Sequence, residues 1–300
     1  MKKSGKIILA AALGCIAVGI VTVISAFAIG GFDLGSFNVR IGPTGITTGN
    51  TGMGTASQKV YAIEKDFNSI DIRDVDADIR FVLTDDGRCE VAYPENETVR
   101  YNIGVEDGVL KVERLDRGTW EWNIIDFGSV GNESTVTVLL SRRGYDSLYL
   151  QTVSGDVKIP AAFSFDTASI SSTSGDIELA SMDISTADIA STSGDICLTG
   201  MTASSMKVAT TSGEIELTAV TADNDLTLST VSGEIDLERS DAENIIISTT
   251  SGNVEGTVLT PKEFETNTTS GEVSVPYSDP LGGVCKVTTV SGDIELRFAK

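Results

Sequence analysis

The chain is 300 residues long, with 30 glycines, 6 prolines and no histidine, and its formal net charge is −21 at pH 7. Without imidazole it holds no Ser-His-Asp or Cys-His hydrolase, no histidine metal ligand and no histidine proton shuttle. The acidic surplus repels phosphate backbones, which argues against nucleic acid as a partner.

The first element is a membrane segment. Residues 1–6 carry Lys2, Lys3 and Lys6, and an uncharged apolar run follows from Ile7 to Gly30. A helix of about 20 residues crosses the hydrocarbon core, so residues 7–30 read as a single-pass transmembrane signal-anchor with residues 1–6 in the cytoplasm. The bulk of the chain is then extracytoplasmic, outside a bacterial cell membrane. Cleavage after Ala28 is the competing reading, but the apolar stretch exceeds the roughly 7–15 residues of a signal-peptide core. Cys15 reads as a bilayer residue rather than a lipidation site, because the sequence after it stays apolar to Gly30.

Residues 31–59 are rich in glycine and threonine and read as a tether, with the alternation of Phe37, Val39 and Ile41 leaving a few short strands as the other reading. Beyond them, Ser69–Phe81 forms two short alternating runs on either side of Asp76-Ala77. Alternation returns at Tyr101, Ile103, Val105, Leu110 and Val112 around Asp107-Gly108, and Trp120 and Trp122 nearby suggest a larger capping core.

From residue 148 to 300 one motif recurs, Thr/Ser-x-Ser-Gly-Asp/Glu/Asn-Ile/Val. Its central Ser-Gly pairs are Ser154-Gly155, Ser174-Gly175, Ser193-Gly194, Ser212-Gly213, Ser232-Gly233, Ser251-Gly252, Ser270-Gly271 and Ser291-Gly292, at spacings of 20, 19, 19, 20, 19, 19 and 21. Counting from the serine, position −4 holds Leu150, Ile170, Ile189, Val208, Leu228, Ile247, Thr266 and Val287, and position −6 is also mainly apolar. A step of two is a strand. Past the glycine the apolar parity switches to +3, from Val157 to Ile294, and to +5, which is mostly leucine. A parity switch marks a corner, for which glycine is expected to supply backbone freedom.

A unit this small buries its apolar side chains only by stacking on its neighbours. The fold class is therefore all-β, a β-solenoid of about 19–20-residue coils preceded by one N-terminal transmembrane helix. A β-propeller fits less well, because its blades need roughly 40 residues each. Ser69–Phe81 fits the same template with Asp76 at the serine and Ala77 at the glycine, about four periods ahead of Ser154, so residues 60–147 read as degenerate coils.

The Phe67-Asn68-Ser69-Ile70-Asp71-Ile72 opening, the Asp107-Gly108-Val109-Leu110 step and the TxSGDI array resemble the bacterial DUF4097 family over roughly residues 60–300. Its members are described as adhesins or toastrack-type β-strand repeat proteins. The resemblance implies a single-stranded β-helix, frequently membrane-tethered and sometimes associated with envelope-stress systems, with no catalytic residues to carry over.

Position +2 reads Asp156, Asp176, Asp195, Glu214, Glu234, Asn253, Glu272 and Asp293, so acids stack in a column. Like charges about 4.8 Å apart repel by about 0.9 kcal/mol in water, and corner N–H groups donating to these carboxylates are the expected compensation. A calcium ladder along Asp156, Asp176, Asp195, Glu214, Glu234, Glu272 and Asp293, helped by Glu178, Glu216, Asp236, Glu255 and Glu295 at +4, is the sharper alternative, although nothing supplies a dedicated cage of 6–8 oxygens. No other cofactor is implied. The hydroxyls at −2 and 0 are expected to form ladders under the corners, and no single serine stands out as a nucleophile. Cys89, Cys197 and Cys285 form no disulfide framework and are expected to be free thiols.

The reading that results is a non-enzymatic, membrane-anchored surface module. It binds an unidentified envelope protein or glycan, either as an adhesin or as an envelope-stress accessory. A polysaccharide-acting β-helix enzyme, and a passive surface spacer, are the alternatives.

Overall fold

Each motif folds as its alternation requires, with one long strand before the corner and one short strand after it. The computed structural model describes residues 38–42, 45–48, 57–96, 99–116, 122–126, 134–160 and 162–299. The apolar run 7–30, its lysines, Cys15 and Trp120 lie outside these residues. Among the described residues no helix is long and apolar enough to cross a membrane.

Two units are present. In the smaller, the strands Asn38–Gly42, Gly45–Thr48 and Trp122–Asp126 form an antiparallel sheet, so the stretch 31–59 contains the short strands that its alternation allowed.

The larger unit is built on two sheets of 12 and 11 strands. Long strands such as Ser164–Ser171, Asp183–Ala190 and Thr202–Ala209 pair in parallel in one sheet. Short strands such as Ile177–Ala180, Ile196–Thr199 and Ile215–Thr218 pair in parallel in the other. Register is exact to the motif: Leu150, Ile170, Ile189, Val208, Leu228 and Ile247 form one ladder, and all are buried. Ile177, Ile196, Ile215, Ile235 and Val254 form the facing one. Each such side chain contributes about 1.5–3 kcal/mol by leaving water, and the parity switch brings both ladders to a single core. At one end the core turns aromatic, where Phe67, Tyr145 and Phe165 stack with centroids 5.9 and 5.6 Å apart.

The order of the strands departs from expectation at both ends. Ser69–Arg73 pairs directly with Gly144–Gln151, and Ser154 N–H donates to Val75 O at 2.8 Å, so the Asp76-Ala77 corner sits against Ser154-Gly155 with no coil between. Val109–Asp116 continues the long-strand ladder parallel to Ser69–Arg73, and Thr135–Ser141 continues the short-strand ladder parallel to Asp78–Thr84, with antiparallel strands added outside them. Val99–Glu106 returns antiparallel along Val109–Asp116. Asp107 and Gly108 turn it with φ of 50° and 77°, the left-handed pair that a two-residue hairpin demands. Glu90–Glu95 likewise runs antiparallel to Thr135–Ser141 and to Ser57–Ala62.

At the other end, Asp241–Ser248 pairs not with Lys262–Asn267 but with Gly283–Thr288, and Lys262–Asn267 lies outside that strand. The eighth motif is thus inserted between the sixth and the seventh. Between coils, the turn residues Ser181, Gly200, Ala219 and Arg239 are all left-handed, with φ of 52–60°. Glycine occupies one of the four, and the others hold the conformation at a cost of about 1 kcal/mol each. Ala219→Gly is therefore expected to raise stability by about 1 kcal/mol in denaturant unfolding, since Ala219 is exposed and its methyl packs on no core.

Candidate functional site

The repeated polar residues converge on the column of corners. Gly155, Gly175, Gly194, Gly213, Gly233 and Gly252 are stacked so tightly that a Cβ on any of them would lie within 3.0 Å of the carbonyl oxygen of the corner before it. None of the eight motif glycines has a positive φ. Glycine is required by the approach of one backbone to another, and not by the backbone freedom expected from the sequence. Ala77 fits the same rule: it opens the column, and its carbonyl is the one that Gly155 approaches.

Beneath each corner lies the hydroxyl at −2. Ser172, Ser191, Thr210 and Thr230 are buried and accept the N–H of the glycine three residues on, at 2.8, 2.9, 3.1 and 3.0 Å. Thr210 and Thr230 also donate to the preceding glycine carbonyl. The serine at position 0 does not join them. Ser154, Ser174, Ser193, Ser212, Ser232, Ser251, Ser270 and Ser291 are exposed, because the corner turns that side chain outward.

The acidic column at +2 forms a ladder between coils. Asp156, Asp176, Asp195 and Glu214 donate their backbone N–H to the carboxylate at the same position of the coil before, on Asp78, Asp156, Asp176 and Asp195, at 2.8–3.0 Å. Asp293 donates to Asn253 Oδ1 at 3.0 Å, and Glu272 to Asp293 at 2.8 Å. Asp78 heads the column and Asp74 takes the place of the buried hydroxyl. Asp74 accepts the N–H groups of Val75, Asp76 and Ala77 on one oxygen and the Tyr101 hydroxyl on the other. Extending the motif by two residues on each side of Asp76-Ala77 would have found both.

Charge accumulates along the face carrying +2 and +4. Burial, then Glu234 and Asp195, holds the Glu214 carboxyl above its ordinary range. Asp236 is raised by burial and by Glu216 and Glu238. Lys158 pairs with Glu178 at 3.1 Å, and Arg297 pairs with Glu295. Among the described residues no three acidic side chains converge as a metal site, so the calcium reading has no cage to rest on. Cys89, Cys197 and Cys285 are unpaired. Burial, with Glu216 next, pushes the Cys197 thiol up to about 11, and burial pushes Cys285 up to about 12, so both are protonated and poor nucleophiles.

Stacked corners, the two sheets and the TxSGD array are matched by a family profile, Toastrack DUF4097, over residues 67–229 and 222–300. The chain belongs to the Toastrack DUF4097 family. Its fold is similar to that of a candidate adhesin from Bacteroides fragilis, with a TM-score of 0.55 and 17% identity, covering 81% of this chain and 98% of that one. A candidate adhesin from Parabacteroides distasonis gives 0.52 at 14% identity, and a candidate lipid-binding protein from the same species gives 0.50 at 18%, each over 81% of this chain and 98% of the other. No curated protein matches the chain at a significant level.

Two outcomes test the corner. Gly213→Ala is expected to cost about 3 kcal/mol in denaturant unfolding, while Ser212→Ala beside it stays within about 0.5 kcal/mol. Glu214 and Asp236 hold their protons more tightly folded than unfolded, so the folded state gains stability as pH falls through their raised values. The melting temperature should rise from pH 7 toward about pH 5, and the double variant Glu214→Gln, Asp236→Asn should flatten that rise.

Proposed function

We propose that the chain is a non-enzymatic binding module, anchored in the bacterial cell membrane by residues 7–30 and exposed outside it, that captures an envelope protein or glycan in the manner of an adhesin. The observation that carries this reading is the disposition of the polar groups. The −2 hydroxyls of Ser172, Ser191, Thr210 and Thr230 are engaged by the corner glycine N–H groups, while acids at +4 remain exposed along one face, with Cys197 standing between Glu178 and Glu216 in the ladder. Glu178, Glu216, Asp236 and Glu255 stand there with no irregular insertion between them to hold a reaction centre. Such a face favours partners rich in basic groups and speeds their encounter at low salt. Likeness to proteins named as adhesins supports the reading, and the name of the lipid-binding relative is compatible with a non-catalytic role.

The test is cross-linking on intact cells with the full chain and with a variant carrying Glu178→Gln, Glu216→Gln, Asp236→Asn and Glu255→Gln. The native chain is expected to yield a discrete cross-linked envelope component that weakens as salt rises, and the variant to lose most of it. Equal yield from both chains, or none from either, would remove the support for this face as the binding surface.

A further inference from the structure

Four successive coils are joined by two-residue turns, and the junction after them breaks that pattern. Four successive short strands connect to the next long strand through two residues: Ser181–Met182, Gly200–Met201, Ala219–Val220 and Arg239–Ser240. The coil of Asp241–Ser248 and Val254–Val258 is stacked directly on that of Gly283–Thr288 and Ile294–Phe298, yet residues 259–282 intervene between Val258 and Gly283. By the logic of the stack, the whole seventh motif is an insertion into what is a two-residue turn at the four preceding junctions.

That insertion folds back as a thin outer layer. Its long strand Lys262–Asn267 pairs along Gly283–Thr288, but its short strand is only Val273–Ser274. Val273 is 44% exposed, where Val254 and Ile294 at the same position are 0% and 1%. Thr266 replaces the apolar residue at −4. A buried ion pair holds the layer down: Lys262 stands beside Gly283 in the ladder and reaches one coil further, placing Nζ 2.8 Å from Asp241 Oδ1. Both side chains are more than nine-tenths buried.

The outer rim of the layer is closed by its own loop. Phe264 N–H donates to Ser278 Oγ at 2.8 Å, and Lys262 O accepts the Asp279 N–H at 2.9 Å. Those two groups are what an incoming strand would need, because an exposed sheet edge pairs readily with another chain. Asp279 also fixes the loop through Gly282 and Leu281 N–H groups, both at 3.0 Å.

We propose that residues 259–282 are a built-in terminator, which occupies in cis a strand-accepting end formed by Gly283–Thr288 and Ile294–Phe298 and so prevents that end from pairing with a second copy of this chain. The in-cis occupant carries a Thr-x-Ser-Gly-acid motif of the kind repeated through the stack, which shows that this end accepts the chain's own sequence as its ladder partner. The inference stands apart from the surface-binding role, which concerns the acidic face and not the end of the stack.

The test replaces residues 259–282 by a Gly-Met dipeptide like that at Gly200–Met201, in the otherwise complete chain, and follows mass against concentration by light scattering. The shortened chain is expected to fold and to self-associate at least tenfold more strongly than the native chain, with association strengthened by salt because each copy is acidic. A folded shortened chain that associates no more than the native one would overturn the proposal. Failure to fold would overturn it too, since the two coils it joins would then not be complete without the insertion. As an independent arm, Lys262→Glu sets a like charge against Asp241, and should speed hydrogen exchange at 262–267 and promote association. Faster exchange without association would count against a terminator.

Discussion

The structure depends on how closely one corner backbone can lie on the next. The spacing of parallel strands, about 4.8 Å, is set by their hydrogen bonds, and at the corner that spacing leaves no room for a side chain directed along the stack. Eight glycines follow from that requirement, and with them the buried hydroxyls that serve the glycine N–H groups and the carboxylates that serve the N–H of the next residue. A single geometric limit thereby fixes three consecutive features of the motif. The apolar columns contribute most of the stabilising free energy, but they would tolerate many substitutions of similar volume; the corner would not.

The acidic ladder shows how one set of groups can serve structure and surface together. Each aspartate spends one oxygen on a backbone N–H of its neighbour, which offsets part of the repulsion between stacked carboxylates, and the remaining charge faces solvent. The Glu214 carboxyl, further along the ladder than the first aspartates, is raised by burial and then by Glu234 and Asp195.

Much of this was legible because a period of two names the buried face, and a period near twenty names the coil. The ladders of Leu150 and Ile177 follow from those periods alone. Other features were hidden for physical reasons. Every coil presents the same edge, so the sequence does not say which coil stacks on which, and the seventh and eighth motifs exchange places without leaving a mark in their spacing. The hairpin at Asp107-Gly108 did carry a signal, since Asp-Gly is a preferred two-residue turn, but alternation around it fits coil and hairpin equally. The left-handed turn at Ser181, Ala219 and Arg239 was masked because only Gly200 advertises it. The outward serine was misplaced because parity is undefined within the corner itself.

Because a ribosome delivers residues in order, the stretch 262–274 exists before 283–298 has been made. For that interval the edge of Asp241–Ser248 is free, and the seventh motif is the nearest strand able to cover it. The final arrangement requires the later segment to take that berth, so maturation of this end involves either delayed docking of the earlier strand or its eviction. The native order of the last two rungs thus separates two pairings that closely resemble each other, and in it Lys262 reaches Asp241 while the more apolar final strand pair stacks directly on Asp241–Ser248 and Val254–Val258.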